Sequence, residues 1–153
     1  MPLNDVFAKL SESGSLELIH KETGEVLKTL LVKPASQEHR SFILSTWTKS
    51  YRPMARRLRV EDLYNKYESE IAESRWQDCL VVTDEGGFTV YAWVCGQEGS
   101  LYHVYVIPEL RHIGVCSELS GVACGKDYDL ARPWPYRTTR RVNPYLLGAK
   151  NNG

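Results

Sequence analysis

Between residues 78 and 124 the chain carries the pattern that most restricts its architecture. Three short runs rich in Val, Tyr and Trp, at 78–83, 88–95 and 101–107, are separated by the turns Asp84-Glu85-Gly86-Gly87 and Gly96-Gln97-Glu98-Gly99. β-branched and aromatic runs punctuated by glycine turns predict an antiparallel meander. The third run stops at Pro108 and leads directly into residues 111–124, where Val115, Leu119, Val122 and Ala123 return at helical spacing. An apolar helical stripe needs a surface to bury it, so this helix must lie on the sheet.

Upstream the same logic extends the fold. Residues 29–33 form a β-rich run closed by Pro34, and Ser36 caps a helical stretch to about Ser50 with Ile43, Leu44, Trp47 and Tyr51 recurring on one face. A second helix is predicted over 60–74 from Val60, Leu63, Tyr64, Tyr67 and Ile71. The order strand, helix, helix, strand, strand, strand, helix predicts an α+β fold, an α/β sandwich whose mixed, largely antiparallel sheet is flanked by helices. Residues 1–28 read as an N-terminal extension: Asn4 or Asp5 caps a short helix through Leu10, and 15–20 and 25–31 flank Lys21-Glu22-Thr23-Gly24 as a hairpin. The core then spans 29–125, and 126–153 is a basic tail rich in proline and aromatics.

Charge narrows the partners. The 153 residues carry 19 Lys+Arg and 19 Asp+Glu, which argues against attachment to nucleic acid or membrane through the bulk field. No run approaches the ~18 consecutive apolar residues of a spanning helix, and the first residues lack a secretory layout, which places the chain in a cytoplasm. Cys79, Cys95, Cys116 and Cys124 form no C-x-x-C pair and read as reduced thiols. His112 with Cys116 is the one pair with helical ligand spacing, too little for a zinc site, so no metal is expected.

The chemistry concentrates at the strand-to-helix junction, from Val104 to Cys116. A helix starting just after a strand points the free N–H groups of its first turn outward, where they carry the positive end of the macrodipole. Arg111 adds a charged donor, and Gly114 lets a phosphate approach the backbone. This stretch, Arg111-x-x-Gly114-x-Cys116, resembles the acetyl-CoA signature of the GCN5-related N-acetyltransferase (GNAT) family, Arg/Gln-x-x-Gly-x-Gly/Ala after the fourth strand. The preceding Val-Ile-Pro-Glu, the following Ser117-Glu118-Leu119 and the element order from 29 to 124 suit the family as well, over roughly 95 of the 153 residues.

The resemblance implies an acetyl-CoA-dependent N-acyltransferase acting on a small-molecule or protein amine. Coenzyme A would be held by the backbone of Arg111, His112, Ile113, Gly114, Val115 and Cys116 at its pyrophosphate, and by the main chain of Val104, Tyr105, Val106 and Ile107 along its pantetheine arm. His103 and Tyr105, at alternate positions of one strand, are candidate proton carriers, and Glu98 in the preceding turn is a candidate base. The sequence departs from the family at Cys116, where Gly or Ala is usual, and after Cys124. There Pro133, Pro135 and Pro144 argue against a regular helix or central strand, and at most 128–132 forms a fifth strand. The helix that supplies the family's thiolate-protonating tyrosine is therefore missing.

A second reading comes from that shortening: an inactive acetyltransferase-like binding or assembly module, similar to small degenerate domains familiar in bacteriophage genomes, which would place it in a host cytoplasm. The tail, with Trp134, Tyr136, Tyr145, Arg132, Arg137, Arg140 and Arg141, has the residue types that dominate interfaces and would serve a homo-oligomer or another partner. Arg52, Arg56, Arg57 and Arg59, between the two long helices, form a basic cluster that fits an anion, an acidic partner or acyl acceptor, or a solvated turn beside Glu61 and Asp62. No RNA-binding signature accompanies it, so sequence-specific nucleic-acid recognition is not expected.

Overall fold

A computed structural model describes residues 5–57, 59, 61–87, 89–125 and 127–130, with the backbone alone at 51–57, 61–65 and 67. The elements run β1 (Val6–Leu10), β2 (Leu16–His20), β3 (Val26–Pro34), α1 (Arg40–Arg57), α2 (Glu61–Arg75), β4 (Cys79–Thr83), β5 (Val90–Gln97), β6 (Ser100–Val106), α3 (Val115–Cys124) and β7 (Asp129–Leu130). The strands form one sheet in sequence order, β1 through β7. Each neighbouring pair is antiparallel except the last, in which β7 runs parallel to β6. The architecture is the α+β sandwich expected, with helices against a curled, mostly antiparallel sheet.

Two core layers lie on opposite faces of the sheet. On one, Ile43 and Trp47 of α1 and Ala72 of α2 cover Cys79, Val81, Trp93, Cys95 and Tyr102. Trp47 and Trp93 stack with centroids 5.2 Å apart. The Trp93 Nε1–H donates to Thr46 Oγ1 at 2.8 Å, and the Trp47 Nε1–H donates to the buried carboxylate of Glu68 at 3.1 Å. Indole rings bury large apolar areas only where the N–H finds an acceptor, and both do. On the other face, Ile113, Val115 and Leu119 pack onto Val94, Leu101, Val104 and Val106.

The N-terminal segment differs from its expected form. Residues 6–10 are a strand, not a short helix, because Val6 and Ala8 are buried while Lys9 is exposed. That period-two pattern pairs with β2, from Val6 opposite His20 to Leu10 opposite Leu16. The hairpin then joins the body of the fold. β3 pairs with β2 through its first half and with β4 through Leu31–Pro34, so the sheet turns a corner along one strand. The corner brings β1 over α3: the Ala8 N–H donates to the Ile113 carbonyl at 2.8 Å, and the Leu10 N–H donates to the Glu118 carboxylate at 3.2 Å. These contacts occupy N–H groups that an outermost strand would otherwise leave exposed.

The long helices also depart from their expected ends. α1 continues past Ser50 and through Pro53 to Arg57, so Arg52, Arg56 and Arg57 are on helix instead of a linker. Arg59 is exposed in the junction and takes a left-handed φ of 58°. The proline-rich tail, from Ala131 onward, lies outside the described residues, as does Arg132 of the expected fifth strand. What the structure describes of that strand is β7, two residues beside Ser100 and Leu101. Among the described residues no helix is long and apolar enough to cross a membrane.

The β5–β6 pair contains a β-bulge. Leu101 lies opposite Gly96 and His103 opposite Cys95, so Tyr102 is an extra residue on β6. Gly96 sits at this point because a Cβ there would come within 2.8 Å of the Ser100 carbonyl and 2.5 Å of Cys124 Sγ. Gly96→Ala is therefore expected to destabilise by about 1–3 kcal/mol, the usual cost of overpacking. Gly121→Ala, inside α3 where nothing lies within 4 Å of the added methyl, is expected to stabilise by about 0.5–1 kcal/mol. Urea unfolding of the two variants beside the parent chain checks both signs; equal midpoints would refute the packing assigned to the bulge.

Candidate functional site

The bulge decides which backbone groups of β6 are left open. The Ile107 N–H donates to the Tyr91 carbonyl on β5 at 3.0 Å. Alternation along the ladder therefore turns His103 and Tyr105 toward β5 and the backbone groups of Val104 and Val106 away from it. β7 pairs only with Ser100 and Leu101, so among the described residues no strand covers β6 beyond the bulge. A sheet edge with free N–H and C=O groups is a template for an extended ligand.

Beside this edge lies the start of α3. Residues 108–110 form a single 3-10 turn, and the chain then passes through His112 at φ 69° and Gly114 at φ 100° before the helix begins at Val115. The helix thus starts later than the expected 111, because two left-handed residues cannot belong to it. The first helical bond is from the Glu118 N–H to the Gly114 carbonyl, at 3.1 Å. The amides of Val115, Cys116 and Ser117 precede it and have no intrahelical acceptor, and no side chain of the described residues caps the helix. Glu118, in this same turn, faces the macrodipole with its own carboxylate but is committed to the Leu10 N–H.

The open edge and the helix start share one cleft of about 530 Å³, lined by Val104, Tyr105, Val106, Leu110, Arg111, His112, Gly114, Cys116 and Ser117. Its volume falls in the range of small-molecule sites, ~300–1,000 Å³. A second groove, of about 560 Å³, runs between Val26–Thr29 of β3 and the turn at 84–86. Its lining includes the carboxylates of Asp84 and Glu85 with Lys28 and no helix terminus.

The residues expected at the site separate into three groups. Val104, Val106, Arg111, His112, Gly114 and Cys116 do converge on the cleft, and Tyr105 borders it with its ring edge-on to Phe42 at 5.8 Å. Ile113 and Val115 are buried in the core beneath it, and Ile107 is half-buried at the start of the 3-10 turn. His103 and Glu98 are elsewhere. His103 is 0% exposed, between Trp47 at 5.7 Å and Trp93 at 5.4 Å, so its imidazole is a core group. Glu98 is exposed in the β5–β6 turn, at the opposite end of β6, on the order of 20 Å along the strand from the cleft.

Leu110 and Ser117 are site residues that the sequence alone does not reveal. Ser117 enters once the helix start moves to Val115, which places its amide in the first turn. Cys116 is exposed at the cleft, and desolvation by the surrounding protein pushes its thiol up from the ordinary range, partly offset by a hydrogen bond with Ser120. The remaining cysteines, Cys79, Cys95 and Cys124, are buried. Among the described residues no three His, Cys, Asp or Glu side chains come together as a metal site.

No known family model, curated protein or solved structure matches the chain.

Proposed function

We propose that the chain is an acetyl-CoA-dependent N-acyltransferase acting on an amine. One observation carries the reading: the edge of β6, which no strand of the described residues covers, and the start of α3, which no side chain of the described residues caps, face the same cleft. A diphosphate and an extended amide arm joined in one molecule need both features side by side. Gly114 presents no side chain where a phosphate would approach, and Cys116 narrows the floor by one sulfur atom.

Acetyl-CoA supplies an activated thioester. The chain's part is to hold it and to manage the proton. The amides of Val115, Cys116 and Ser117 neutralise the diphosphate, while the outward N–H and C=O groups of Val104 and Val106 align the arm as an added strand. The same edge offers an N–H donor to the acyl oxygen, where negative charge develops during attack by the amine. Tyr105 is the proton carrier of the three candidates, since His103 is enclosed by indole rings and Glu98 is at the far turn. As the C–N bond forms and the C–S bond breaks, its hydroxyl would deliver a proton to the departing sulfur and be reprotonated by the proton that the amine nitrogen gives up, directly or through water.

A binding or assembly module is the second reading, favoured because only one of the three candidate proton carriers, Tyr105, borders the cleft, His103 being enclosed in the core and Glu98 exposed at the far turn. Turnover of acetyl-CoA with a panel of amines separates the two. Transfer that Tyr105→Phe slows without weakening coenzyme binding supports the enzyme; binding without turnover on any amine leaves the module.

Cys116 provides a built-in reporter for occupancy. The thiolate is the reactive form and its thiol is shifted up, so alkylation by iodoacetamide is expected to accelerate steadily as pH rises through and beyond the ordinary thiol range. Acetyl-CoA, which has no free thiol of its own, is expected to slow that reaction at saturation. Peptide mapping by mass spectrometry follows Cys116 alone, because the other three thiols are buried. An alkylation rate indifferent to acetyl-CoA would refute occupancy of this cleft.

A further inference from the structure

Arg111 does not extend toward the start of α3. Its Nε–H donates to the Val106 carbonyl at 2.8 Å, and its guanidinium carbon lies 5.6 Å from the centre of the Tyr105 ring. Val106 is one of the two residues whose backbone groups face the open side of β6, so the arginine covers an acceptor that an added strand needs. The residue is nevertheless exposed, and its side chain is free to leave on the solvent side.

We propose that Arg111 is a latch on the edge of β6 that makes the cleft selective for ligands carrying phosphate and an amide arm in one molecule. The inference rests on the acyl-CoA reading of the cleft and adds a selectivity device to it. A neutral amide arm entering alone must displace the guanidinium from the carbonyl and offers it no anion in exchange. A diphosphate does offer one: charge-assisted, two-pronged hydrogen bonds to phosphate are stronger than a single bond to a neutral carbonyl. Once the guanidinium moves to the phosphate, the Val106 carbonyl is free to pair with the arm. Phosphate recognition and opening of the edge thus become one event, and arm fragments without phosphate are excluded.

The test compares coenzyme A with pantetheine, which has the arm and lacks the phosphates, by calorimetry on the full chain and on two variants. Arg111→Met keeps an apolar stem and removes every donor. It is expected to weaken coenzyme A by roughly tenfold or more while strengthening pantetheine several-fold, the opposite signs that a latch requires. Arg111→Gln keeps a neutral donor for the carbonyl and loses the charge, so it is expected to lose coenzyme A affinity without the gain for pantetheine. The position is exposed, and unchanged melting curves establish that both variants fold. If coenzyme A binds the parent chain while Arg111→Met leaves pantetheine unchanged or weaker, the latch is overturned and the acyl-CoA reading stands. If coenzyme A does not bind the parent chain, both are overturned.

Discussion

Replacing Trp93 with alanine is expected to cost about 3–5 kcal/mol, a loss that approaches the whole stability only at the low end of the usual ~5–15 kcal/mol and otherwise lowers the unfolding midpoint strongly. Trp93 is 0% exposed at the centre of β5 and touches three aromatic rings, those of Trp47, His103 and Tyr105. Its indole N–H also supplies the bond to Thr46 that fastens α1 to the sheet. Alanine leaves a cavity between α1 and the sheet that helices hung on short loops cannot close. Trp93→Phe keeps a ring in the stack and loses the N–H, so about 1–2 kcal/mol is the expected loss. Urea unfolding followed by far-ultraviolet dichroism measures both; a loss below about 1 kcal/mol for the alanine variant would contradict the packing described.

Removal of the first 24 residues is expected to abolish cooperative folding. The segment reads in sequence as an extension to a core beginning near residue 29, and composition offers no reason to think otherwise. In the fold, Leu16 and Leu30 are both 0% exposed and lie opposite each other, and Val6, Ala8 and Leu18 close the same apolar cluster over Ile113 and Leu119. Deleting the hairpin strips that cluster from one side of α3. It also removes the Ala8 bond to the Ile113 carbonyl, the contact that holds the loop between Arg111 and Gly114 from outside. Leu16→Ala is the milder version, with an expected loss of about 2–5 kcal/mol. A truncated chain that melts cooperatively near the parent's midpoint would show the hairpin to be an accessory.

The contrast between legible and illegible parts has physical causes. The meander is legible because alternation and glycine turns act locally, and Trp47, Ile71 and Leu119 mark their helices by spacing alone. β1 misleads because five residues are too few to separate a period of two from a helical turn, and Asn4 and Asp5 imitate a cap. The bulge at Tyr102 is invisible in sequence, although it determines that Val104 and Val106 open outward; a bulge is settled by pairing between strands, not within one. His103 shares a sheet face with Tyr105 as alternation requires, yet only the packing of α1 decides that it is enclosed. The start of α3 moves from 111 to 115 because His112 adopts a left-handed φ that its side chain does not announce. Arg111 and Gly114 are legible as a motif, while the direction of Arg111, toward its own strand, is not.

Calorimetric titration of the full chain with coenzyme A bears most directly on the cleft between β6 and α3. Saturable binding is expected, in roughly the micromolar range, corresponding to about 8 kcal/mol. Ser117→Glu, an exposed position in the first turn of α3, places a carboxylate against the diphosphate without straining the backbone and is expected to abolish that binding. Gly114→Glu is expected to do the same, with added strain from a side chain at φ 100°. Heat that survives both substitutions, or no heat from the folded parent chain at millimolar coenzyme A, would contradict the assignment of this cleft.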